Sequence, residues 1–273
     1  MEIISNFLTQ IVFSVGIIAI FGLLLALCRR AFCGIVGSNS TKILLATGII
    51  GTPIHELSHA LMCLVFGHKI TEMKLYQLNS DDGTLGYVNH SYNPKNLYQQ
   101  IGNFFIGIAP ILGGSGVIFL LMYFCTPSLF GEVTSELQFV SSLSINLLDP
   151  STYAAFLGLF WDIVTLIFDF TNAGNILWWV FIIVSLMVAS HMELSTADIK
   201  GGFKGFLFAA AGLLIADVIM YFVSSSALES VTDAMVSFSA TVIGFLGVSA
   251  VFAGAMILIA LGIKGISKIK IKK

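Results

Sequence analysis

Charge is what this chain has least of. Only 10% of its 273 residues are Asp, Glu, Lys or Arg, against 57% that are hydrophobic, and the mean hydropathy is +0.95. A soluble domain carries roughly 25% charged residues, so this chain lacks the means to cover a water-exposed surface. The net charge of -2 leaves no electrostatic footprint for nucleic acid. Cysteine is scarce as well. Cys28, Cys33, Cys63 and Cys125 follow the spacing of neither a zinc ribbon nor a disulfide framework. Cys63, inside an apolar stretch, reads as a small hydrophobe. The opening Met1-Glu2-Ile3 lacks the basic region of a signal peptide, and no small-x-small cleavage site follows the first apolar run. That run is expected to be retained as a membrane span. No polar segment is large enough to stand alone and no internal repeat is visible. The expectation is one integral-membrane domain with its core at 43–224 and a basic tail at 263–273.

What is present is a series of long apolar runs. A helix needs ~20 apolar residues to cross a bilayer. Six runs qualify as expected spans, at 8–28, 43–67, 101–124, 174–190, 203–224 and 235–262. Segment 153–170 is also apolar but holds Asp162 and Asp169, and reads as an interfacial or re-entrant element. The fold class expected is an all-α polytopic membrane protein. Five lysines lie between Lys264 and Lys273, and beside a final span they mark the cytoplasmic side, with contact to anionic lipid as a further use. A bacterial-type plasma membrane fits this asymmetric tail. Counting back, Lys200 and Lys204 fall inside, the Lys- and Arg-free 125–152 outside, and 68–100 inside. Arg29, Arg30 and Lys42 break the pattern, since the same count puts them outside.

Segment 70–90 differs in kind. Ile70–Leu78 and Thr84–His90 are short strand-compatible runs, separated by Asn79-Ser80-Asp81-Asp82-Gly83. That pattern predicts a small β-hairpin on the cytoplasmic side.

The chemistry centres on His55-Glu56-Leu57-Ser58-His59. On a helix, residues i and i+4 share a face, so both imidazoles can bind one zinc ion. Glu56 then projects beside them, placed to take a proton from water in the metal's open position. Ionisable groups cost about 2.5–3.5 kcal/mol each at the centre of a membrane helix and persist mainly where function needs them. A polar face packed on partner helices is the plainer explanation of the same residues.

The run His55-Glu56-Leu57-Ser58-His59-Ala60, followed by Phe66-Gly67-His68-Lys69-Ile70, resembles the site-2 protease family of intramembrane zinc metalloproteases. That family has H-E-x-G-H-A on a membrane helix and then a Gly-x-Lys/Arg-Val/Ile step into strands. Ser58 stands where the family has glycine. Gly107-Ile108-Ala109-Pro110 sits on the next span, where the family has a Gly-Pro pair, and Ala109 is the second departure. The resemblance implies a zinc endopeptidase acting on a membrane-spanning or membrane-embedded peptide, with substrate paired against the hairpin strands. Asn103 and Pro110 become candidate substrate-binding residues, although an asparagine in a span more often bridges helices.

The family also supplies an aspartate as third zinc ligand, from a later helix. The best match here is Asp198, in Ser195-Thr196-Ala197-Asp198. The same four residues form a capping-box pattern before an apolar helix, which explains the aspartate without a metal. Asp149, in Asn146-Leu147-Leu148-Asp149-Pro150, is the rival, though expected on the opposite side. His191 and Glu193 offer further ligand types. His68 and His90 read as interfacial, and Asp217, deep in an apolar run, as paired with a polar neighbour. Two other functions stay open: a membrane scaffold of the same architecture without peptidase activity, and an ion-coupled transporter using the intramembrane His, Glu and Asp residues.

Overall fold

The computed structural model describes residues 2–78, 83–141 and 150–271. The chain folds as nine helices and one two-stranded sheet among those residues. In order they are α1 (Glu2–Ile11), α2 (Ile17–Val36), α3 (Ser40–Val65), β1 (Lys69–Lys74), β2 (Tyr87–Ser91), α4 (Leu97–Cys125), α5 (Pro127–Ser141), α6 (Pro150–Ile167), α7 (Ile176–Ala189), α8 (Thr196–Val223) and α9 (Ser225–Ile271). A π-helical turn at Val12–Gly16 joins α1 to α2. Gly37, at φ 67° and ψ -134°, breaks the helix between α2 and α3 in a conformation that side chains with a Cβ rarely adopt.

Five helical stretches among the described residues are long and apolar enough to cross a membrane: Glu2–Val65, Leu97–Cys125, Ala154–Gly174, Thr196–Val223 and Ser225–Lys264. These are the features of an integral membrane protein. The expected set of six differs from these at two places. Segment 174–190 forms only the 14-residue α7, about 21 Å long and short of the ~30 Å hydrocarbon core. The segment before it, which the two aspartates argued against, is instead long enough. Asp169 accounts for its own place there. It caps the following turn by accepting from the Thr171 N–H at 2.9 Å.

The hairpin forms as expected, with β1 antiparallel to β2, Lys69 opposite Ser91 and Lys74 opposite Tyr87, and an irregularity between Ile70 and Glu72. Its strands are shorter than the sequence runs. The intervening residues 79–82, most of the expected turn, lie outside the described residues.

Helix α4 is the centre of the bundle, packing on α3, α7, α8 and α9. In lipid no hydrophobic force pulls helices together, so close packing relies on small residues. Glycines of α4 supply that surface. A Cβ at Gly102 would lie 2.5 Å from Phe66 Cβ, one at Gly113 would meet Ser58, and one at Gly114 would lie 2.6 Å from Met192 Cγ. At Gly107 it would lie 2.6 Å from the Asp198 carbonyl oxygen, and across the same contact a Cβ at Gly205 of α8 would meet the Phe104 nitrogen. Thus α4 fixes both α3 and the start of α8. Away from this contact, Ile118, Met122, Ile163, Trp178, Phe181 and Phe252 belong to one fully buried apolar core. Asp217 finds its polar neighbour: Gln10 donates to its Oδ1 at 3.2 Å and to Thr232 Oγ1 at 2.9 Å, linking α1, α8 and α9.

Candidate metal centre

His55 and His59 lie one turn apart on α3, and Asp198 comes to them from the first turn of α8. One ligand atom from each falls within 4.8 Å of the others. The His55 and His59 Nε2 atoms are 3.2 Å apart. His59 Nε2 is 3.3 Å from Asp198 Oδ1, and His55 Nε2 is 4.0 Å from Asp198 Oδ2. No other group of three such side chains comes together among the described residues.

Hydrogen bonds settle the tautomers. His55 Nδ1 is 2.6 Å from the His191 carbonyl oxygen, and His59 Nδ1 is 2.8 Å from the Ile106 carbonyl oxygen. A carbonyl only accepts, so both Nδ1 atoms carry the hydrogen. In the neutral rings both Nε2 lone pairs are then left facing one another and a carboxylate oxygen. Three acceptors turned on one space are a site for a cation. Ligands of a tetrahedral zinc ion, with bonds of ~2.0–2.1 Å, lie about 3.3 Å from one another. The His55–His59 edge and the edge from His59 to Asp198 Oδ1 already have that length, while His55 lies 4.0 Å from the other carboxylate oxygen, Oδ2. An imidazole whose other nitrogen donates to a carbonyl is also the usual form of a metal-bound histidine. The donor set fits zinc.

Asp198 is both ligand candidate and cap. Ser195 N–H donates to its Oδ2 at 2.7 Å, and Ser195 Oγ accepts from the Asp198 N–H at 3.1 Å, a complete capping box. The box holds one carboxylate oxygen and leaves Oδ1 toward His59. The two readings of this residue therefore describe two oxygens of one group.

Glu56 is buried and hydrogen-bonds to no described residue. It lines a cavity of about 210 Å3 together with Thr52, His55, His191 and Glu193. The chain just before β2 passes directly over it. A Cβ at Gly86 would lie 2.7 Å from Thr52 Cγ2 and 2.9 Å from Glu56 Cγ, so glycine is what lets this segment approach. A second cavity of about 460 Å3 has Asp198 in its wall. It is lined mainly by apolar and small residues, among them Ala19, Gly22 and Ala26 of α2, Gly107 of α4 and Phe203 of α8.

The remaining candidates separate. His191 is buried beside the site and contributes its carbonyl, while its ring lies against Gly48 and Gly51 of α3. Burial, and then the Arg29 guanidinium, push that imidazole down to about 4, so it is neutral at pH 7. Glu193 is paired with Arg29. That ion pair sets Arg29 beside the connection into α8, whereas the charge count put Arg29 and the Lys200 segment on opposite sides. Asn103 is buried and donates to the Gln99 and Gln100 carbonyls of its own helix at 3.3 and 3.4 Å. Pro110 is buried within α4. Asp149 lies outside the described residues. His68 and His90 pair at the base of the hairpin: His68 Nε2 donates to the Gln99 carbonyl at 2.8 Å and the two Nδ1 atoms are 3.0 Å apart. Ser58 donates to the Ile54 carbonyl at 2.7 Å and its side chain occupies the space over Gly113. A serine is accommodated there because the facing residue has no side chain.

No protein-family model, curated protein or solved structure matches this chain.

Sequence reasoning reached the three converging side chains and Glu56. It missed the two carbonyls, which are backbone groups, and Thr52 and Gly86. The pair Gly48 and Gly51, three residues apart just before the HExxH run, is a small-residue packing signal that marks where α7 approaches.

Proposed function

We propose that this protein is a zinc-dependent intramembrane endopeptidase, with zinc held by His55, His59 and Asp198 and Glu56 as general base. The observation that carries the reading is the convergence of two Nε2 lone pairs and a carboxylate oxygen, with both imidazoles already held by backbone carbonyls. The resemblance of the HExxH run to the site-2 protease family supports it. The substrate class is a membrane-spanning or membrane-embedded peptide.

Zinc, when bound, polarises the scissile carbonyl and lowers the pKa of water in its open position. The Glu56 carboxylate, buried at the cavity, takes the proton from the attacking water and returns it to the leaving amine. Asp198 and the two imidazoles hold their geometry through bonds that do not change during the reaction. The polar cavity beside Glu56 suits the peptide backbone and water. The apolar cavity bordered by Asp198 suits side chains of an apolar substrate segment.

The test is zinc content per chain in detergent-purified protein, combined with cleavage of membrane-embedded peptides. Wild type is expected to hold about one zinc. His59→Ala and Asp198→Ala are expected to lose it, with Asp149→Ala unaffected. Glu56→Gln is expected to keep zinc and to lose roughly 10²–10⁴-fold in cleavage rate. A folded, metal-replete wild type without zinc, or a Glu56→Gln variant that cleaves normally, sinks the reading.

A further inference from the structure

Inside an α-helix the carbonyl of residue i accepts from the N–H of residue i+4. Proline has no N–H, and its ring crowds the carbonyl four residues earlier. Within α4, Pro110 therefore deprives the Ile106 carbonyl of its ordinary partner. This is the carbonyl that receives the Nδ1–H of His59 at 2.8 Å. Ile106 is 5% exposed, so nothing from outside the protein replaces the missing bond. A carbonyl left bare in such a setting would cost stability, and the His59 imidazole satisfies it.

The other imidazole is held by a carbonyl freed in a different way. Helix α7 ends at Ala189, and the N–H that would continue the helix to His191, that of Ser195, is taken by Asp198 Oδ2. The His191 carbonyl is left for His55 Nδ1–H. Each histidine of the triad is oriented by a carbonyl that an irregularity in a neighbouring helix has released.

We propose that Pro110 is a positioning residue of the metal centre: by denying Ile106 its helical hydrogen bond, it reserves that carbonyl for His59 and so aims His59 Nε2 at the metal. The inference rests on the zinc reading and adds to it a residue outside the ligand set.

Pro110→Ala returns an N–H to the helix, where it competes with His59 for the Ile106 oxygen. The carbonyl has two lone pairs and can accept both donors at poorer geometry. The expected loss of zinc affinity is therefore about tenfold, the lower end of the range for disturbing an outer partner of a metal ligand. The same substitution removes a proline from a helix interior, which favours the helix. The metal-free variant should consequently unfold at a higher temperature than wild type. Tighter folding with weaker zinc binding is the signature. A proline with only a structural role would change the unfolding temperature and leave zinc affinity alone.

The experiment measures zinc affinity by chelator competition, and thermal unfolding without metal, on the full chain in detergent. It compares wild type, Pro110→Ala, and a chain with lactic acid at position 110. Lactic acid has the alanine side chain but an ester oxygen in place of the N–H. Pro110→Ala should bind zinc about tenfold more weakly, and the ester chain should return to within about twofold of wild type. Equal affinity in Pro110→Ala and wild type, or an ester chain as weak as Pro110→Ala, overturns the inference while leaving the zinc centre standing. A wild type that takes up no zinc overturns the metal reading itself, and the inference with it.

Discussion

Gly107 offers the most direct way to move one ligand without touching it. A methyl group at this position would lie 2.6 Å from the Asp198 carbonyl oxygen and 3.1 Å from the Gly202 Cα, both backbone atoms that cannot rotate away. Ordinary contact begins near 3.4 Å. In Gly107→Ala the first turn of α8 must therefore retreat by about 0.8 Å, far outside the roughly 0.2 Å tolerance of metal–ligand distances. Without metal the helix can slide and relieve the clash. Zinc binding must pull Asp198 back against it. Overpacking of this kind costs about 1–3 kcal/mol, and each 1.4 kcal/mol is a tenfold change in affinity. Zinc should bind roughly 5- to 150-fold more weakly.

Chelator competition on the full chain in detergent reads this directly, with Gly201→Ala as the control. Gly201 adjoins Gly202 on the facing helix α8, but a Cβ there meets nothing within 4 Å. If Gly107→Ala and Gly201→Ala bind zinc equally well, the contact between α4 and α8 does not set the position of Asp198 and the reasoning fails.

Asp198→Asn separates the two duties of that side chain, because its remaining oxygen can still accept from Ser195 N–H. The metal-free variant should keep its stability to within about 1 kcal/mol while losing at least about tenfold in zinc affinity, and unfolding of the metal-free protein on a scale larger than a lost cap counts against this division. Ala26→Trp should fill the apolar cavity beside α2, leaving zinc content at the wild-type value and slowing cleavage of apolar membrane peptides; unchanged cleavage removes the cavity from the substrate path. At the hairpin base, burial first and then the His68 imidazole hold the His90 pKa below its ordinary 6.5, so the undocked hairpin binds the proton more tightly than the docked one. Stability from docking is present in full above pH 6.5 and falls as pH drops below that value. Amide-exchange protection in β1 and β2, corrected for intrinsic rates, should decline from about pH 7 to about pH 5 in wild type and stay flat in His90→Gln.

Much of the site was legible because helical geometry is periodic. The i, i+4 spacing of His55 and His59 implies a shared face, and that face is where the two Nε2 atoms meet. The hairpin was legible from two short strand-compatible runs around a turn-rich segment. The span count was not, because hydropathy alone cannot tell a helix that crosses from one that stops. The run at 174–190 ends as a 14-residue helix at the loop that feeds the site, while two aspartates disguised the apolar stretch ahead of it. Asp198 carried two competing sequence signals, a cap and a ligand, and nothing in a string of letters shows that one carboxylate has an oxygen for each. Packing glycines were visible as letters, but their partners were not: Gly107 faces α8, whereas Gly113 faces Ser58 on α3.

The backbone carbonyls of Ile106 and His191 were hardest to foresee, and the reason lies in the solvent. In water a carbonyl released by a proline or a helix end is hydrated and goes unnoticed. In a buried, apolar setting it must find a donor inside the protein. An intramembrane histidine has the matching need, because its Nδ1–H must be satisfied before Nε2 can be offered to a metal. The two requirements answer each other. A helix irregularity beside a buried histidine is therefore more than a packing defect, since each supplies what the other lacks. In this chain the two irregularities lie on separate helices, α4 and the end of α7, and each meets one histidine of the same pair. Both Nδ1 atoms are thereby matched by carbonyls, and both Nε2 atoms turn toward one another and Asp198, the one place in this cluster where a cation could enter.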